Sequence, residues 1–208
     1  MSKRSQDFVD ILNRFCLDIF PYESLAEVPV LPEPGAMTGF CVQNVASKTF
    51  RDGGEALAGW DITWEEDGLL EAECHVVWCS PDSTLIDMTP RASGVPVTLF
   101  LPQPGLWDGT QFVPNKRQAM ADTQRCRALM MLAEMQDGRK RESWNGSQWF
   151  LTEKEDLEIK ARAAKIALGV DKRQKCPCGF PIAFGRCCGR PTGRPWRNFR
   201  SFTKKAAA

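Results

Sequence analysis

Histidine and long apolar segments are the scarcest features of this 208-residue sequence. His75 is the only histidine, so any imidazole catalysis or imidazole metal binding has to use that residue. No apolar run approaches the ~20 residues that a membrane-spanning helix needs, and residues 1–10 lack the apolar core of a secretion signal. We therefore expect a cytoplasmic protein that has no membrane partner.

Acidic side chains are missing from the last part of the chain. Residues 172–208 hold ten of the 27 basic side chains and none of the 26 acidic ones, which leaves 17 basic against 26 acidic, a balance of −9, in residues 1–171. Trp196, Phe199 and Phe202 are interspersed with the basic residues, a composition that can bind phosphates and stack on bases. RNA is one candidate partner of this tail. The alternative is a solvated tail whose aromatic rings pack on the rest of the protein.

Hydrophobic periodicity predicts a helical start, a central run of strands and a helical end. A helical period predicts four helices, at residues 5–20, 40–50, 118–136 and 153–168. A period of two predicts three strands, at residues 57–65, 70–79 and 83–88. The short turns between these strands favour an antiparallel meander, to which residues 97–101 would add an edge strand. The proline-rich segment 21–36 is expected to be an extended loop.

These elements predict an α+β fold, in which an antiparallel sheet packs on a helix that carries Cys41. We expect this domain to span residues 1–140, followed by a connector helix within residues 141–170 and a small zinc module with its basic tail in residues 171–208. Gly138 is expected to end the third helix. Thr152 and Glu155 have the spacing of a capping box at the start of the fourth.

Four of the nine cysteines lie within thirteen residues, as Cys176, Cys178, Cys187 and Cys188. Two short ligand pairs separated by a tight hairpin are the usual framework of a structural zinc site, and four protein ligands leave no open position for catalysis. The site should be all-thiolate, because His75 lies far away in the sequence. Two disulfides or four free thiols are the alternatives, which a reducing compartment disfavours.

The segment Cys176-Pro177-Cys178-Gly179, the eight-residue gap and Cys187-Cys188-Gly189 resemble the SEC-C motif, C-x-C-x8-C-[CH], of the SecA translocase C-terminus. The resemblance implies bound Zn²⁺ with a structural role, held by the four cysteines. In the translocase this module engages a chaperone and the ribosome. By that likeness, the zinc module and its tail are expected to dock on a ribosome, RNA or chaperone partner.

A catalytic thiol would need His75 as its base, and Cys41 is the cysteine best placed to use it. Alternation along a strand puts Cys74 on the opposite face from His75, and Cys79 lies about 13 Å further along. Cys41 opens a predicted helix, whose free N–H groups and dipole lower a thiol's pKa and can bind an oxyanion. Asp87 ends the next predicted strand, near the height of His75, and could accept the second ring N–H.

The order of a helix-borne Cys41, a strand-borne His75 and Asp87 on the next strand resembles transglutaminase-like and papain-like thiol folds. The resemblance implies that Cys41 attacks an amide or ester carbonyl of a protein or peptide, that His75 exchanges protons and that Asp87 orients the imidazole. A cysteine amide hydrolase or acyl transferase is then expected. Gln43, Asn44 or Trp60 could assist the oxyanion, and the sequence assigns that role to none of them. The alternative is a non-catalytic adaptor, in which a cap thiol, a sheet histidine and a turn aspartate are purely structural.

Overall fold

The computed structural model describes residues 3–65, 68–91, 94–145, 151–167, 171, 173–175 and 182–186. Within these stretches the fold is α+β. The four α-helices are α1 (Lys3–Ile19), α2 (Cys41–Asp52), α3 (Gln124–Glu142) and α4 (Glu153–Ala167). The six strands are β1 (Ala26–Pro29), β2 (Glu55–Trp64), β3 (Leu69–Cys79), β4 (Leu85–Ile86), β5 (Val97–Pro102) and β6 (Lys116–Ala119). None of the described helices is both long enough and apolar enough to cross a membrane.

The strands form one antiparallel sheet that closes on itself. Its order is β1-β5-β2-β3-β4, with β6 also paired to β3. Just after β4, the Asp87 N–H donates to the Pro29 carbonyl, and the Leu31 N–H donates to the Asp87 carbonyl, both at 2.9 Å. This parallel bridge joins the last strand of the path to the first. A ring of five strands needs one such parallel junction, because antiparallel neighbours alternate in direction.

The inside of the ring holds an apolar cluster and a set of polar side chains. Val28, Leu57, Leu85, Val77 and Phe100 pack together there. Side chains two residues apart share a face of a strand, and Asp61 lies directly opposite Phe100 in the β2–β5 pairing. The same alternation therefore turns Asp61, His75 and Asp87 toward the inside. All three are buried.

The outer face of the sheet is covered by the two N-terminal helices. Helix α1 packs its buried residues Leu12, Phe15 and Cys16 on one part of this face, and α2 packs Val45 on another. The strand residues beneath α1 are Trp60, Ile62, Leu70, Ala72 and Leu101, and those beneath α2 are Val76 and Trp78. The structure confirms the predicted packing of an antiparallel sheet on the helix that carries Cys41.

The helix predictions near the N-terminus and at residues 153–167 are confirmed to within a few residues. Gly53 ends α2 with φ +74° and donates its N–H to the Thr49 carbonyl. The capping box at the start of α4 is present, because the Thr152 N–H donates to Glu155 Oε2 at 3.1 Å and the Glu155 N–H donates to Thr152 Oγ1 at 3.3 Å. Helix α4 packs on α3, where Gln136 Nε2 donates to Asp156 Oδ1 at 2.8 Å.

Four predictions of secondary structure are wrong. Residues 97–101 do not form an edge strand, since β5 lies between β1 and β2. The proline-rich segment 21–36 is not wholly a loop, because residues 26–29 pair with β5. The third helix begins at Gln124, where Thr123 accepts the Cys126 N–H at 3.1 Å, and the preceding residues 116–119 form β6. That helix also continues through Gly138, because the contacts of α3 with α4 outweigh the ~1 kcal/mol by which glycine disfavours a helix.

Gly59 makes room inside the ring, and we expect its replacement to be destabilising. A Cβ at this position would lie 2.5 Å from the Phe100 ring and 2.5 Å from the Leu101 carbonyl oxygen. Gly59→Ala should therefore lower the free energy of unfolding by about 1–3 kcal/mol. Gly138→Ala is the matched control, because the same methyl group meets no atom within 4 Å there. It should raise that free energy by about 0.5–1 kcal/mol. Urea denaturation measures both, and a Gly59→Ala protein as stable as the parent would contradict the packing described.

Candidate active site

A gap along one edge of β3 opens the sheet to a cavity. Strand β2 pairs with β3 over residues 70–79 on one side. On the other side, β6 pairs with residues 69–72 and β4 with residues 78–79, and among the described residues no strand pairs with residues 73–77 there. The start of α2 lies at this gap. Because the cavity is at an edge, side chains from both faces of β3 reach it, Cys74 from one face and His75 from the other.

The cavity has a volume of about 770 Å³ and is lined by a thiol, an imidazole and aromatic rings. A volume of this size is typical of small-molecule and peptide side-chain sites. The lining residues used below are Cys41, Gln43, Cys74, His75, Arg91, Trp107 and Trp144. Cys41 is half-buried and is the first residue of α2, so the cavity wall carries both a thiol and the start of a helix.

The turn before α2 is fixed by Asn44. Its side-chain oxygen accepts the Met37 N–H at 3.0 Å, and its Nδ2 donates to the Met37 carbonyl at 2.8 Å. Gly39 adopts φ +79°, a conformation that glycine takes without strain, and the chain then enters the helix. Phe40, at the N-cap, gives the first turn no side-chain hydrogen bond. Cys41 therefore begins a helix whose first backbone N–H groups donate no hydrogen bond to an N-cap side chain.

His75 is held from behind by a buried carboxylate. Its Nε2 lies 3.0 Å from Asp87 Oδ1, which also accepts the Thr89 N–H at 2.9 Å. Asp87 is completely buried. Burial alone would raise the pKa of Asp87, but the hydrogen bond from His75 and the positive charges nearby outweigh it, so the net pKa is lowered. The ring nitrogen that faces Asp87 is therefore a donor, and Nδ1 is left for the cavity side.

Cys41 interacts with the same imidazole. Burial of His75 acts to lower its pKa, yet hydrogen bonding with Asp87 and with Cys41, together with their negative charges, raises it to about 10. The imidazole is thus favoured as the cation through the neutral pH range. The structure brings all three residues predicted for catalysis to one place, with Cys41 and His75 in the cavity wall and Asp87 behind the ring.

Comparisons of the chain with protein-family models, with curated proteins and with solved structures found no match. What this site can do therefore follows from its own geometry. A thiol and an imidazole in one cavity wall, with a buried carboxylate hydrogen-bonded to the imidazole, are the groups of a nucleophile, a base and an orienting acceptor. Cys41 and His75 lie in the cavity wall, and Asp87 lies behind the ring.

The residues suggested for an oxyanion site separate in the structure. Trp60 is buried on the outer face, and its Nε1 donates to Gln103 Oε1 at 2.7 Å. Asn44 is occupied by the turn before α2. Gln43 is exposed and lines the cavity. The first hydrogen bond within α2 runs from the Asn44 N–H to the Phe40 carbonyl at 2.9 Å, so the backbone N–H groups of residues 41–43 precede it and face the same end of the helix.

Two charged residues of the site were missed by sequence reasoning. Arg91 lines the cavity and donates from Nε to Asp87 Oδ2 at 2.9 Å, while its Nη1 donates to the buried Asp61. A usable signal was present, since Asp61 interrupts the apolar strand between Trp60 and Ile62. A carboxylate buried in a sheet needs a cationic or hydrogen-bonding partner, and Arg91 supplies it.

The four cysteines predicted to bind zinc lie outside the described residues. Beside them, Lys175 forms an antiparallel bridge with Ala183, and a single 3-10 turn follows at Phe184–Arg186. The Arg186 N–H donates to the Ala183 carbonyl at 2.9 Å. In the part of the chain that the structure describes, no group of three or more His, Cys, Asp or Glu residues is placed to hold a metal.

Proposed function

We propose that this chain is a thiol enzyme of the amide-hydrolase or acyl-transfer class that acts on a protein or peptide substrate. Cys41 is the nucleophile, His75 the proton carrier and Asp87 the group that orients the imidazole. One observation carries the proposal. His75 is bonded on Nε2 to a fully buried Asp87 and also interacts with the Cys41 thiol at the wall of an open cavity.

The charge state of the site supports this assignment. An imidazole whose protonated form is favoured keeps a proton that it receives from the thiol, and the pair then shares that single proton. In the proposed reactive state the proton of the Cys41 thiol has passed to His75, whose protonated form is favoured, so a thiolate faces an imidazolium. A thiolate is the reactive form of cysteine.

The steps follow from this pair. The Cys41 sulfur attacks the carbonyl carbon and forms a tetrahedral oxyanion. His75 then gives its proton to the leaving nitrogen or oxygen as the bond to it breaks, and a thioester remains on Cys41. A water molecule or an amine, deprotonated by His75, attacks that thioester and restores the thiol. The outcome is hydrolysis with water and acyl transfer with an amine.

Two further features support the same chemistry. The uncapped first turn of α2 offers backbone N–H groups where the oxyanion would form, and Gln43 lies beside them. An antiparallel sheet packed on a helix that begins at the cysteine is also the arrangement that the likeness to transglutaminase-like and papain-like folds implies. Cys74 lines the same cavity but is not the proposed nucleophile, because burial and the neighbouring Cys41 raise the pKa of the Cys74 thiol to about 12.

An activated ester provides the test. We expect p-nitrophenyl acetate to release p-nitrophenolate and to leave one acetyl group on Cys41, detected by intact-protein and peptide mass spectrometry. Cys41→Ala and His75→Gln should lose the rapid acetylation. Cys74→Ser is the matched control and should keep it, since its thiol lines the same cavity. Acetylation that is equally fast in the Cys41→Ala protein would overturn the proposal.

We propose in addition that residues 171–208 form a zinc-binding docking module of the SEC-C type, attached to this enzyme. Four thiolates suit Zn²⁺, which prefers sulfur and nitrogen ligands in a closed tetrahedral site. The described residues between the two cysteine pairs support the hairpin that such a site needs. The isolated Lys175–Ala183 bridge brings the residue before Cys176 beside Ala183, four residues before Cys187. Through its basic tail, the module would contact a ribosome, RNA or chaperone partner.

We expect purified protein to contain about one zinc per chain, the capacity of a single four-thiolate site. Inductively coupled plasma mass spectrometry measures this, after dialysis against a weak chelator. Cys178→Ser/Cys187→Ser should lose the metal. Cys16→Ser/Cys79→Ser, which removes two of the scattered cysteines, should retain it. A full zinc content in the Cys178→Ser/Cys187→Ser protein would show that the ligands lie elsewhere.

A further inference from the structure

The inside of the strand ring holds a second ionic group directly behind His75. Asp61, on β2, is 2% exposed, and its carboxylate accepts hydrogen bonds from Arg91 Nη1 and Thr98 Oγ1. The same guanidinium also contacts Asp87. Its Nε donates to Asp87 Oδ2 at 2.9 Å, and its Nη2 donates to the same oxygen at 2.5 Å. Asp61, Arg91, Asp87 and His75 therefore form one uninterrupted chain of polar contacts.

Arg91 also closely approaches the imidazole itself. Its Nη2 lies 3.3 Å from His75 Nε2. A guanidinium can only donate, and a carboxylate can only accept. Since Nε2 gives its hydrogen to Asp87, the contact between Arg91 and the ring is the approach of a positive charge and not a hydrogen bond. By itself, such a charge would disfavour the protonated ring.

The balance of charges explains why the ring can still hold a proton. The charges of Arg91 and Asp87 alone would cancel. An imidazole that faces such a neutral pair gains little stabilisation when it is protonated. Asp61 supplies the second carboxylate, so that two negative charges stand against one guanidinium. One net negative charge then remains behind His75, in a buried setting where charges interact strongly.

We infer that Asp61 is a positioning residue of this site, which neutralises Arg91 so that the charge of Asp87 acts on His75. The inference rests on the proposed function for its catalytic meaning. The other groups that face His75 are Cys41 from α2 and Glu73 and Cys74 from β3, and Lys140 of α3 lines the same cavity. Burial is the main cause that raises the pKa of Glu73, and the charge of Asp61 adds to it, so a change at Asp61 also acts on Glu73.

The single histidine makes a direct test possible, because one imidazole Cε1–H signal reports His75 without assignment. We expect Asp61→Asn to lower the midpoint of its NMR titration by about one pH unit or more, a tenfold loss of proton affinity. Thr98→Val is the matched control. It removes a hydrogen bond to Asp61 but no charge, so the midpoint should stay close to that of the parent.

The double variant Asp61→Asn/Arg91→Gln separates charge from mere structure. It again leaves one net negative charge behind His75, so its midpoint should return toward the parent value, and Arg91→Gln alone should not fall below that value. These two variants keep the test open if Asp61→Asn does not fold. A midpoint unchanged in Asp61→Asn, or lowered further in the double variant, would overturn the inference. The titration needs no substrate, so it stands or falls separately from the acetylation of Cys41.

Discussion

At pH 6.5, iodoacetamide should alkylate Cys41 faster than any other cysteine of the described residues, and His75→Gln should slow that reaction by about 10–100-fold. An ordinary thiol, with a pKa of about 8.5, is only ~1% thiolate at this pH. A thiol that has passed its proton to His75 is thiolate throughout, which sets the upper end of that range. Peptide mass spectrometry after a short pulse of label measures the extent of reaction at each cysteine.

Two other cysteines serve as internal controls in the same tube. Cys74 lines the cavity beside Cys41, but its thiol has a pKa of about 12, so it should stay unlabelled. Cys16 is a buried residue of α1, and burial raises the pKa of its thiol as well. Cys74→Ser should leave the rate at Cys41 unchanged. Equal, slow labelling of Cys41 in the parent and in His75→Gln would favour the non-catalytic adaptor.

The three proposed catalytic residues could be named from the sequence because the choice was narrow. Only one imidazole exists, and strand alternation removes its neighbours as partners. The order of helix, strand and strand leaves Cys41 and Asp87 as the natural companions of His75. That reasoning used only short-range pattern, and the structure places the three together. The same reasoning excluded Cys74 as the partner of His75 only because the two side chains lie on opposite faces of the strand. That ground is incomplete, since the gap beside residues 73–77 lets side chains from both faces of β3 reach the cavity.

The parts of the site that escaped prediction depend on contacts between distant segments. Strand β5 could not be placed beside β1 and β2 from local pattern, because its partners are chosen by the closing of the ring. The bridge between Val30 and Asp87 that completes this ring leaves no trace in the periodicity of either segment. Arg91 meets Asp61 only because the ring brings β2 and the segment after β4 together. The charge balance behind His75 is thus a property of the tertiary fold.

The protonated state of the site should also appear in how stability depends on pH. The pKa of His75 is raised from 6.5 to about 10 in the folded protein. A raised pKa contributes stability that is fully present below the unfolded value and is lost as pH rises through the folded one. In Cys41→Ser the hydrogen bond with Asp87 still raises the pKa of His75, although the contribution of Cys41 is gone. The free energy of unfolding should therefore fall above pH 6.5, by up to about 1.4 kcal/mol per pH unit. Urea denaturation between pH 7 and 8.5 measures the slope.

The stability of the parent protein should depend on pH differently between pH 7 and 8.5. The difference from Cys41→Ser shows whether the Cys41 proton resides on the thiol or on His75. If Cys41 has given its proton to His75, the folded pair holds one proton, and so does the unfolded chain, as a thiol beside a neutral imidazole. The parent slope should therefore be close to zero up to about pH 8.5, where unfolded thiols ionise. A parent slope equal to that of Cys41→Ser would mean that Cys41 keeps its own proton. Flat profiles in both proteins would mean that His75 is neutral and that the charge behind it is balanced in some other way.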